Sequence, residues 1–460
     1  MALAIDGLAS GLDTTNLIAS LMKIEAIPQS QLKARLATTQ GFVSALQSLN
    51  TKLASLTDTA GALAKPGALR HFSATTGSDA ATATAGAKAA EGSIDVTIDA
   101  LARKQVIVTA QMTIWPATPP VLTVVDANGI HTEVTAASTA LDDVASAVNA
   151  AGAGVTAMKV ASGTDPATGA PLYRLQFSAA DSGLAGAVSI YRGSSAEVTA
   201  GTATNILADG AIETQAARDA AITLWAGTTI ARSVTSSTDT FTDVLPDVDL
   251  TVSATTPTPL TLTIARNGAA TADSAKSLVT ALQSALGYIA TNSAVTTGTT
   301  GGASSARGGL FTGDSTVRNL QQRLQSTAMA PVDGRSPAEI GITITREGRI
   351  EFDATVFTDA LAADPTRVEN AVAAIAQRVA AVATEASDKF SGTVSRKITG
   401  QESLASSMTS QIIEWDRRLD SRRVTLERTY AALEVQLNAI QSQSAWLTSQ
   451  LGALPTMERK

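Results

Sequence analysis

Apolar residues recur at helical spacing in both terminal parts of the chain, whereas they alternate with polar residues between them. In the N-terminal part, a seam with steps of four and three residues connects Phe42, Leu46, Leu49, Leu53, Leu56, Ala60 and Leu63. The same steps connect Val368, Val372, Ile375, Val379 and Val382. Steps of four and three over several turns are typical of helices that pack as a coiled coil. The pattern therefore predicts two long, packed helices.

Capping and breaking residues predict where the terminal helices begin and end. Asp13 is a good N-cap for a first helix, and Pro28 should break or kink that helix. On this helix three apolar residues are predicted to share one face: Leu17, Leu21 and Ile24. A final helix is predicted to begin near residue 402 and to run almost to the C-terminus. The Gly-, Ser- and Thr-rich residues 296–309 are predicted to form a flexible loop.

The part of the chain from 71 to 265 is rich in Thr, Val and Ile and predicts β-strands. Apolar and polar residues alternate in SIDVTIDAL (93–101) and in VLTVVDANGIHTEVT (121–135). Within the second stretch, Asn128-Gly129 predicts a two-residue hairpin turn. A short helix is predicted for 141–155, and residues 342–353 predict a further hairpin with Glu347-Gly348 at its turn.

The order of helix, strand and helix predicts an elongated α+β protein. Its N- and C-terminal helices are expected to pair as a coiled coil or helical bundle, with β-rich domains inserted between them. Four domains are predicted: 1–40 with 430–460 as a leg, 41–70 with 271–429 as a helical domain, 71–105 with 212–270 as a β-rich domain, and 106–211 as an inserted outer β-rich domain.

Composition and charge exclude several classes of function. The net charge is −7 and there is no basic block, so no nucleic-acid partner is predicted. Neither a spanning apolar run nor a basic amphipathic helix occurs, so no membrane partner is predicted. The chain has no Cys, which excludes disulfides and thiolate metal sites. No cofactor and no metal are predicted, and the N-terminus lacks the features of a Sec signal peptide.

The C-terminal helix changes its polar character along its length. Residues 414–428 are dense in charge, whereas the chain from Val435 to Met457 contains no charged residue. Gln, Ser, Asn and Thr cost less to bury than charged groups when they find hydrogen-bond partners. One interpretation is a pair of helical ends within one subunit; another is an interface that becomes ordered only with other chains; disorder without a role is a third. The interface residues predicted under the second are Leu12, Leu17, Leu21, Leu433, Leu437, Ile440, Trp446, Leu447 and Leu451.

Five stretches, spread over nearly the whole chain, are similar to those of one protein family. They are 5–22 (IDGLASGLDTTNLIASLM), 241–252 (FTDVLPDVDLTV), 308–324 (GGLFTGDSTVRNLQQRL), 336–353 (SPAEIGITITREGRIEFD) and 429–451 (TYAALEVQLNAIQSQSAWLTSQL). In addition, LTVVDANG and LDDVASAVNAAGAGVTA look like the hook-associated repeat motif. In order and spacing, these stretches resemble the flagellar hook-associated protein 2 family, the cap of the bacterial flagellar filament.

The resemblance implies a structural role outside the cell, at the tip of the flagellum. Family members form a homo-oligomeric ring, commonly of about five subunits, under which flagellin folds and inserts. The implied partners are further copies of the chain, flagellin, the hook-filament junction proteins, an export chaperone and the flagellar type III export apparatus. In the family the helical ends form the legs and the β-rich domains form the outer plate.

Other functions remain open on the sequence alone. The alternatives are another filament or junction component, and an adhesin whose outer β domains bind host glycans or mucin. An enzyme is not predicted, because the only histidines are His71 and His131 and neither lies in a catalytic motif. Asp142-Asp143 is interpreted as a helix start, and Asp247 with Asp249 as a solvated strand face, with a glycosidase carboxylate pair as the alternative.

Overall fold

A computed structural model of the chain describes residues 13–300 and 303–452. The chain divides into a helical unit, Met1–Pro66 with Ala272–Lys460, and a β-rich unit, Gly67–Thr271. Inserting the β-rich unit between the two parts of the helical unit agrees with the predicted α+β class, which is confirmed. The finer division into four domains stays a prediction.

The described helices are α1 (Thr14–Glu25), α2 (Ile27–Leu63), α3 (Leu141–Ala151), α4 (Ser195–Ala200), α5 (Gly268–Ser293), α6 (Ser315–Met329), α7 (Ala354–Ala363), α8 (Pro365–Ser387) and α9 (Thr393–Gly452). The predicted cap and break at the N-terminus are both confirmed. A carboxylate oxygen of Asp13 accepts a hydrogen bond from the backbone N–H of Asn16 at 2.8 Å. Pro28 lies in the first turn of α2, directly after the interruption at Ala26.

The core of the helical unit is built on the two predicted seams. Helix α2 packs against α8 and α9, and α1 packs against α9. The α2 seam residues Leu46, Leu49, Leu53, Leu56 and Ala60 are fully inaccessible to solvent. The α8 seam residues Val368, Val372, Ile375 and Val379 are buried in the same way. Because the apolar stripe of each helix meets another helix, burial rather than intrinsic propensity stabilises these long elements.

Helix α9 begins nine residues earlier than the predicted start near 402. The preceding residues form a tight connection, in which the Asp388 carboxylate accepts hydrogen bonds from the N–H groups of Phe390 and Ser391. A Cβ at Gly392 would lie 2.4 Å from the backbone oxygen of Asp388, so the turn requires glycine there. Val394 is completely buried. Tertiary packing therefore outweighs the poor helix propensity of the residues that follow.

The predicted flexible loop at 296–309 is wrong. Strands β17 (Val295–Thr300) and β18 (Ala303–Gly308) pair antiparallel there, with Thr296 opposite Arg307, and residues 301 and 302 between them lie outside the described residues. β-Branched threonine favours extended backbone, and antiparallel pairing satisfies the backbone groups that a loop would leave to water. The hairpin predicted at 342–353 is present as β19 (Ile342–Ile344) and β20 (Ile350–Phe352).

The β-rich unit contains four antiparallel sheets. Its strands are β1 (Phe72–Thr76), β2 (Ala81–Ala85), β3 (Gly92–Ala100), β4 (Lys104–Val108), β5 (Val121–Asp126), β6 (His131–Thr135), β7 (Val155–Thr164), β8 (Pro171–Ser182), β9 (Val188–Arg192), β10 (Thr204–Asn205), β11 (Ile212–Gln215), β12 (Ala220–Leu224), β13 (Arg232–Ser236), β14 (Thr240–Leu245), β15 (Val248–Val252) and β16 (Leu260–Arg266). The strand orders are β1-β16-β3-β12-β13, β14-β15-β2, β10-β9-β5-β6 and β11-β4-β8-β7.

Two separate cores stabilise this unit. The first contains Val96, Ile98, Ile222, Leu250 and Leu262 from the first two sheets. The second contains Leu122, Phe177 and Ile190 from the other two sheets, Trp115 from the connection between β4 and β5, and Val144 and Val148 of α3. Helix α3 carries Asp142 and Asp143 in its first turn, as the sequence predicts.

The hairpin of β5 and β6 is present, but its turn differs from the predicted two-residue form. Val125 pairs with His131, and the N–H of Gly129 donates to the carbonyl of Asp126 at 3.0 Å. Gly129 has φ +79°, the left-handed conformation that glycine adopts at the end of such a turn. The turn is longer than predicted because Asp126 also accepts hydrogen bonds from the N–H groups of Asn128 and Ile130.

Candidate partner-binding surface on the terminal helices

Helices α1 and α2 run antiparallel to α9, and a series of polar contacts follows the pairing. The contacts join Gln47 to Glu402 at 3.0 Å, Thr39 to Met408 at 4.0 Å, Gln29 to Asp416, and Glu25 to Arg422 at 2.9 Å. Residue numbers rise along α9 as they fall along α2 and α1. The predicted pairing of the two chain ends is therefore present over this length.

The pairing in the described part of the chain reaches only part of α9. Glu25 contacts Arg422, and α1 begins at Thr14, so the start of α1 lies opposite the region near residue 433. Beyond it, every residue from 438 to 451 is exposed. Helix α9 nevertheless continues to Gly452. Its last four turns have no covering element among residues 13–300 and 303–452.

Four of the predicted C-terminal interface residues, Ile440, Trp446, Leu447 and Leu451, lie on this uncovered part of the helix, and Leu433 and Leu437 come directly before it. We call Leu433, Leu437, Ile440, Leu447 and Leu451 the terminal seam, because steps of three, four and seven residues place them on one face. Leu437 is half-buried, while the exposed fractions of the other four range from 42% to 62%. An apolar stripe that stays exposed at this spacing is typical of a helix face that a partner covers.

Trp446 lies outside the terminal seam, about 100° around the helix from Leu447. Its side chain is 63% exposed. Val435 precedes it by eleven residues, close to three helical turns, and is also exposed. Val435 therefore adds a second apolar residue to the face of Trp446. It was not among the predicted site residues, although the eleven-residue spacing was available in the sequence.

The predicted N-terminal residues are less well placed. Leu12 lies outside the described residues. Leu17 is 41% exposed and Leu21 is half-buried, whereas Met22 is buried. The buried face of α1 is therefore the one that carries Met22. The face predicted to carry Leu17, Leu21 and Ile24 is more exposed, since Ile24 is also open to solvent. The structure leaves Leu17 on an open face of α1.

The polar residues around the terminal seam partly satisfy their own hydrogen-bonding groups. The Thr448 hydroxyl donates to the Ser444 carbonyl at 2.8 Å, and the Ser449 hydroxyl donates to the Trp446 carbonyl at 2.8 Å. A partner that buries these hydroxyls would not leave an unpaired donor. In the charged segment before it, Arg418 stacks over the ring of Trp415 at 4.5 Å.

This arrangement can bind another apolar helix at low electrostatic cost. Burying one exposed Leu or Ile side chain completely contributes about 1.5–3 kcal/mol. No charged group between Val435 and Met457 would have to lose its hydration in that contact. The terminal seam is thus chemically suited to partner binding, and its charge-rich neighbour at 414–428 is suited to remain in water.

The side chains that could take part in catalysis or metal binding make local structural contacts instead. The Nδ1 atom of His131 lies 3.1 Å from the hydroxyl oxygen of Ser195. The backbone N–H of Ser195 donates a hydrogen bond to the carboxylate of Glu133. Asp142 pairs with Lys159 at 2.6 Å, and this hydrogen bond raises the pKa of the Lys159 amine. In the described ranges, no group of three or more His, Asp and Glu side chains is arranged to hold a metal.

Asp247 lies in the turn before β15 and not on the strand, where the sequence pattern placed it. Its carboxylate accepts a hydrogen bond from the backbone N–H of Lys88 at 2.8 Å, and Asp249 faces the N–H of Asp243 at 3.4 Å. The Asp247 carboxylate therefore supports the loop of Lys88, whereas Asp249 lies on β15 and contacts the neighbouring strand β14. A search of the helices in the described part of the chain finds none with the length and hydropathy of a bilayer-spanning segment.

Comparison with known families gives matches at both ends of the chain. Residues 10–105 match the family model described as flagellar hook-associated protein 2 N-terminus, and residues 217–442 match the one described as flagellar hook-associated protein 2 C-terminus. Together the two matches include more than two thirds of the chain. The second match extends into the terminal seam.

Relatives of similar length carry the same family name, and one solved structure has a similar fold. The chain is 25% identical to the A-type flagellar hook-associated protein 2 of Pseudomonas aeruginosa over 99% of this chain and 98% of that protein. It is also 25% identical to flagellar hook-associated protein 2 of Escherichia coli K12, over 96% and 97% of the two chains. The crystal structure of the Escherichia coli flagellar cap protein FliD, domains D1-D2-D3, superimposes with a TM-score of 0.59 at 22% identity, covering 78% of this chain and 99% of that one.

Proposed function

The chain belongs to the flagellar hook-associated protein 2 family, and from this we propose that it caps the distal end of the bacterial flagellar filament. Its role there is structural. It holds the growing end and promotes the folding and insertion of flagellin subunits. The similar Escherichia coli structure named above is that of a flagellar cap protein, and the chain spans nearly the whole length of the two hook-associated relatives.

The observation that carries the proposal is the exposed terminal seam. A helix with an apolar, uncharged end needs a partner surface, and the tip of a filament built of protein subunits provides one. A cap must also shift each time a subunit is added. Contacts made by Leu, Gln and Ser side chains can be broken and remade without separating buried ion pairs, which is costly. In this proposal the partner-binding residues are Leu12, Leu17, Leu21, Leu433, Leu437, Ile440, Trp446, Leu447 and Leu451.

The proposed partners follow from the site at which the protein works. It assembles with further copies of itself into a ring of about five subunits, and it contacts flagellin and the hook-filament junction proteins. It reaches the outside of the cell through the flagellar type III export apparatus with an export chaperone. The terminal parts 1–40 and 430–460 serve as the leg, and 106–211 serves in the outer plate. No catalytic role is proposed.

Deletion of the gene tests this function. We expect short or absent filaments and flagellin monomers in the growth medium, because subunits that arrive at an open end are lost. Expression of the wild-type chain in the same cells should restore filament length. Immunogold labelling should then find the protein at filament tips. Normal filaments in the deletion strain would contradict the proposal, and label along the whole filament would instead indicate another filament component.

A further inference from the structure

A polar pocket of about 310 Å³ opens on the β-rich unit beside the start of β1. Its wall includes three cationic side chains and one carboxylate: Arg70, Lys88, Arg266 and Glu91. Phe72 and the alanines at 87, 89 and 90 complete the lining. The volume lies at the lower end of the range for small-molecule sites, about 300–1,000 Å³. The pocket is therefore large enough for a small solute.

The loop that carries Lys88 and Glu91 is held firmly to the sheet behind it. The backbone N–H of Gly86 donates to the Asp247 carbonyl at 2.8 Å, and the N–H of Lys88 donates to the Asp247 carboxylate at 2.8 Å. The side chain of Ala89 is buried in the adjacent core. A Cβ at Gly86 would lie 2.2 Å from an oxygen of Asp247, so this contact requires glycine. The loop thus presents its charged side chains from a fixed backbone.

The guanidinium of Arg266 is also oriented by its neighbours. Arg266 and Phe72 are direct cross-strand partners, and the guanidinium lies 5.6 Å from the centre of the phenyl ring. Its Nε atom is 3.1 Å from a carboxylate oxygen of Glu91. Stacking and ion pairing on two sides reduce the freedom of a long side chain, which lowers the entropic cost of binding a ligand.

The pocket lining carries net positive charge, whereas the whole chain carries net negative charge. Three cations and one carboxylate leave the pocket with an excess of positive charge, although the chain carries a net charge of −7. Arg and Lys side chains that converge on one cavity favour carboxylate, sulfate and phosphate oxygens, to which they donate charge-assisted hydrogen bonds. We propose that this pocket binds a small solute that bears oxyanion groups, either an inorganic sulfate or phosphate or an organic dicarboxylate.

Titration of the isotopically labelled full chain tests the proposal. Sulfate, phosphate and succinate are added separately, and backbone amide shifts of Lys88, Ala89 and Glu91 are followed by NMR. We expect saturable shifts at these amides with at least one of the three. Succinamide, which matches succinate in size but carries no charge, should produce none. A response to sulfate or phosphate alone would identify an inorganic ion as the ligand, and a response to succinate alone would identify a carboxylate ligand.

Single substitutions then separate a built site from general charge effects. Lys88→Ala and Arg70→Ala should each weaken binding about tenfold, the value of one hydrogen bond to a charged group. Glu91→Gln should tighten binding, since it removes the only carboxylate of the lining. Arg232→Ala is the matched control: it removes one positive charge from an exposed position on β13 of the same unit, away from the lining.

Several results would overturn the proposal. They are the absence of saturable shifts with every anion at tens of millimolar, equal shifts with succinamide, or undiminished binding to both Lys88→Ala and Arg70→Ala. An equal loss in Arg232→Ala would show that only the overall charge matters. Because all four positions are at the surface or half-buried, each variant is expected to fold, and the thermal unfolding midpoint of each confirms that its result concerns the pocket.

Discussion

The two ends of helix α9 carry a similar apolar pattern and meet different surroundings. Near its start, Val394 and Ile412 are buried against the rest of the helical unit. Near its end, Leu447 and Leu451 are more than half exposed. The helix itself is continuous between them, from Thr393 to Gly452. The difference therefore lies in which parts of the helix have a partner within the described chain.

The two parts of α9 also differ in their polar residues. This difference indicates which part is suited to water and which part is suited to burial by a partner. The segment 414–428 is dense in charge and makes solvent-exposed contacts, such as the ion pair of Arg422 with Glu25. Exposed pairs of this kind contribute little to stability, about 0–1 kcal/mol. The segment after Val435 has no charge and instead carries side chains that tolerate burial. Under the proposed function, the surface that is exposed at the end of α9 in one subunit is covered by partners in the assembled filament.

The largest effect is expected from placing charges on the terminal seam. Leu437→Asp with Leu447→Asp should abolish motility and filament growth, because two carboxylates would have to be desolvated in the proposed interface. The unfolding free energy of the purified chain should change by less than about 1 kcal/mol, since neither side chain is buried. Swimming halos and denaturant unfolding measure the two quantities.

Asn438→Asp with Ala445→Asp is the matched control for that variant. It adds the same two charges to the same helix on positions away from the terminal seam, and motility should persist. Unchanged swimming of the Leu437→Asp and Leu447→Asp variant would show that the terminal seam is dispensable. Equal loss in both variants would show that added charge, and not its position, is harmful.

The second prediction compares a buried leucine with an exposed isoleucine. Leu49→Ala should lower the unfolding free energy by about 2–5 kcal/mol, because it leaves a cavity in a fully buried seam. Ile440→Ala should change it by less than about 0.5 kcal/mol, because Ile440 is 60% exposed. Urea unfolding of both variants measures this. A similar loss for both would mean that the end of α9 is covered in the isolated chain.

The smallest effect concerns acid sensitivity. The hydrogen bonds from Arg323 lower the pKa of Glu385, and those from Ser391 and Phe390 lower the pKa of Asp388. Carboxylates whose pKa is lower in the folded state stabilise the fold above their ordinary values, about 4, and this contribution is lost as the pH falls through the folded values. The helical unit should therefore lose stability as the pH drops below about 4.

The variant Glu385→Gln with Asp388→Asn should show a shallower fall in unfolding temperature over that range. Between Val435 and Met457 there is no ionisable side chain, so the end of α9 contributes no such dependence. Thermal unfolding followed by circular dichroism from pH 7 to pH 3 checks both statements. An identical acid response in wild type and variant would show that other carboxylates dominate.

Features set by neighbouring residues could be predicted from the sequence. Asp13 and Asp314 cap their helices by bonding to backbone N–H groups three residues ahead, and the seam around Leu49 is buried as its spacing predicts. Features set by distant partners could not. The inward face of α1 depends on where α9 lies, and this is why Met22 and not Leu17 is buried.

The loop prediction for residues 296–309 is wrong because this stretch combines residues that favour loops with residues that favour strands. Residues 296–309 contain Gly and Ser, which favour loops, and Thr, which favours strands; pairing of the two segments decides for the hairpin. For the candidate site, the sequence shows that no charged residue follows Val435 before Met457. It does not show the residue of α9 at which the contact with α1 ends. That point depends on the register fixed by contacts such as Glu25 with Arg422.

The most direct test of the account is amide hydrogen exchange of the full-length chain, alone and bound at filament tips. In the purified chain we predict rapid exchange from 438 to 451 and strong protection around Val394 and Ile412. At the filament tip, the same terminal residues should become protected by partner contacts. Strong protection of 438–451 in an isolated monomer, unchanged on assembly, would contradict the claim that other molecules cover the terminal seam.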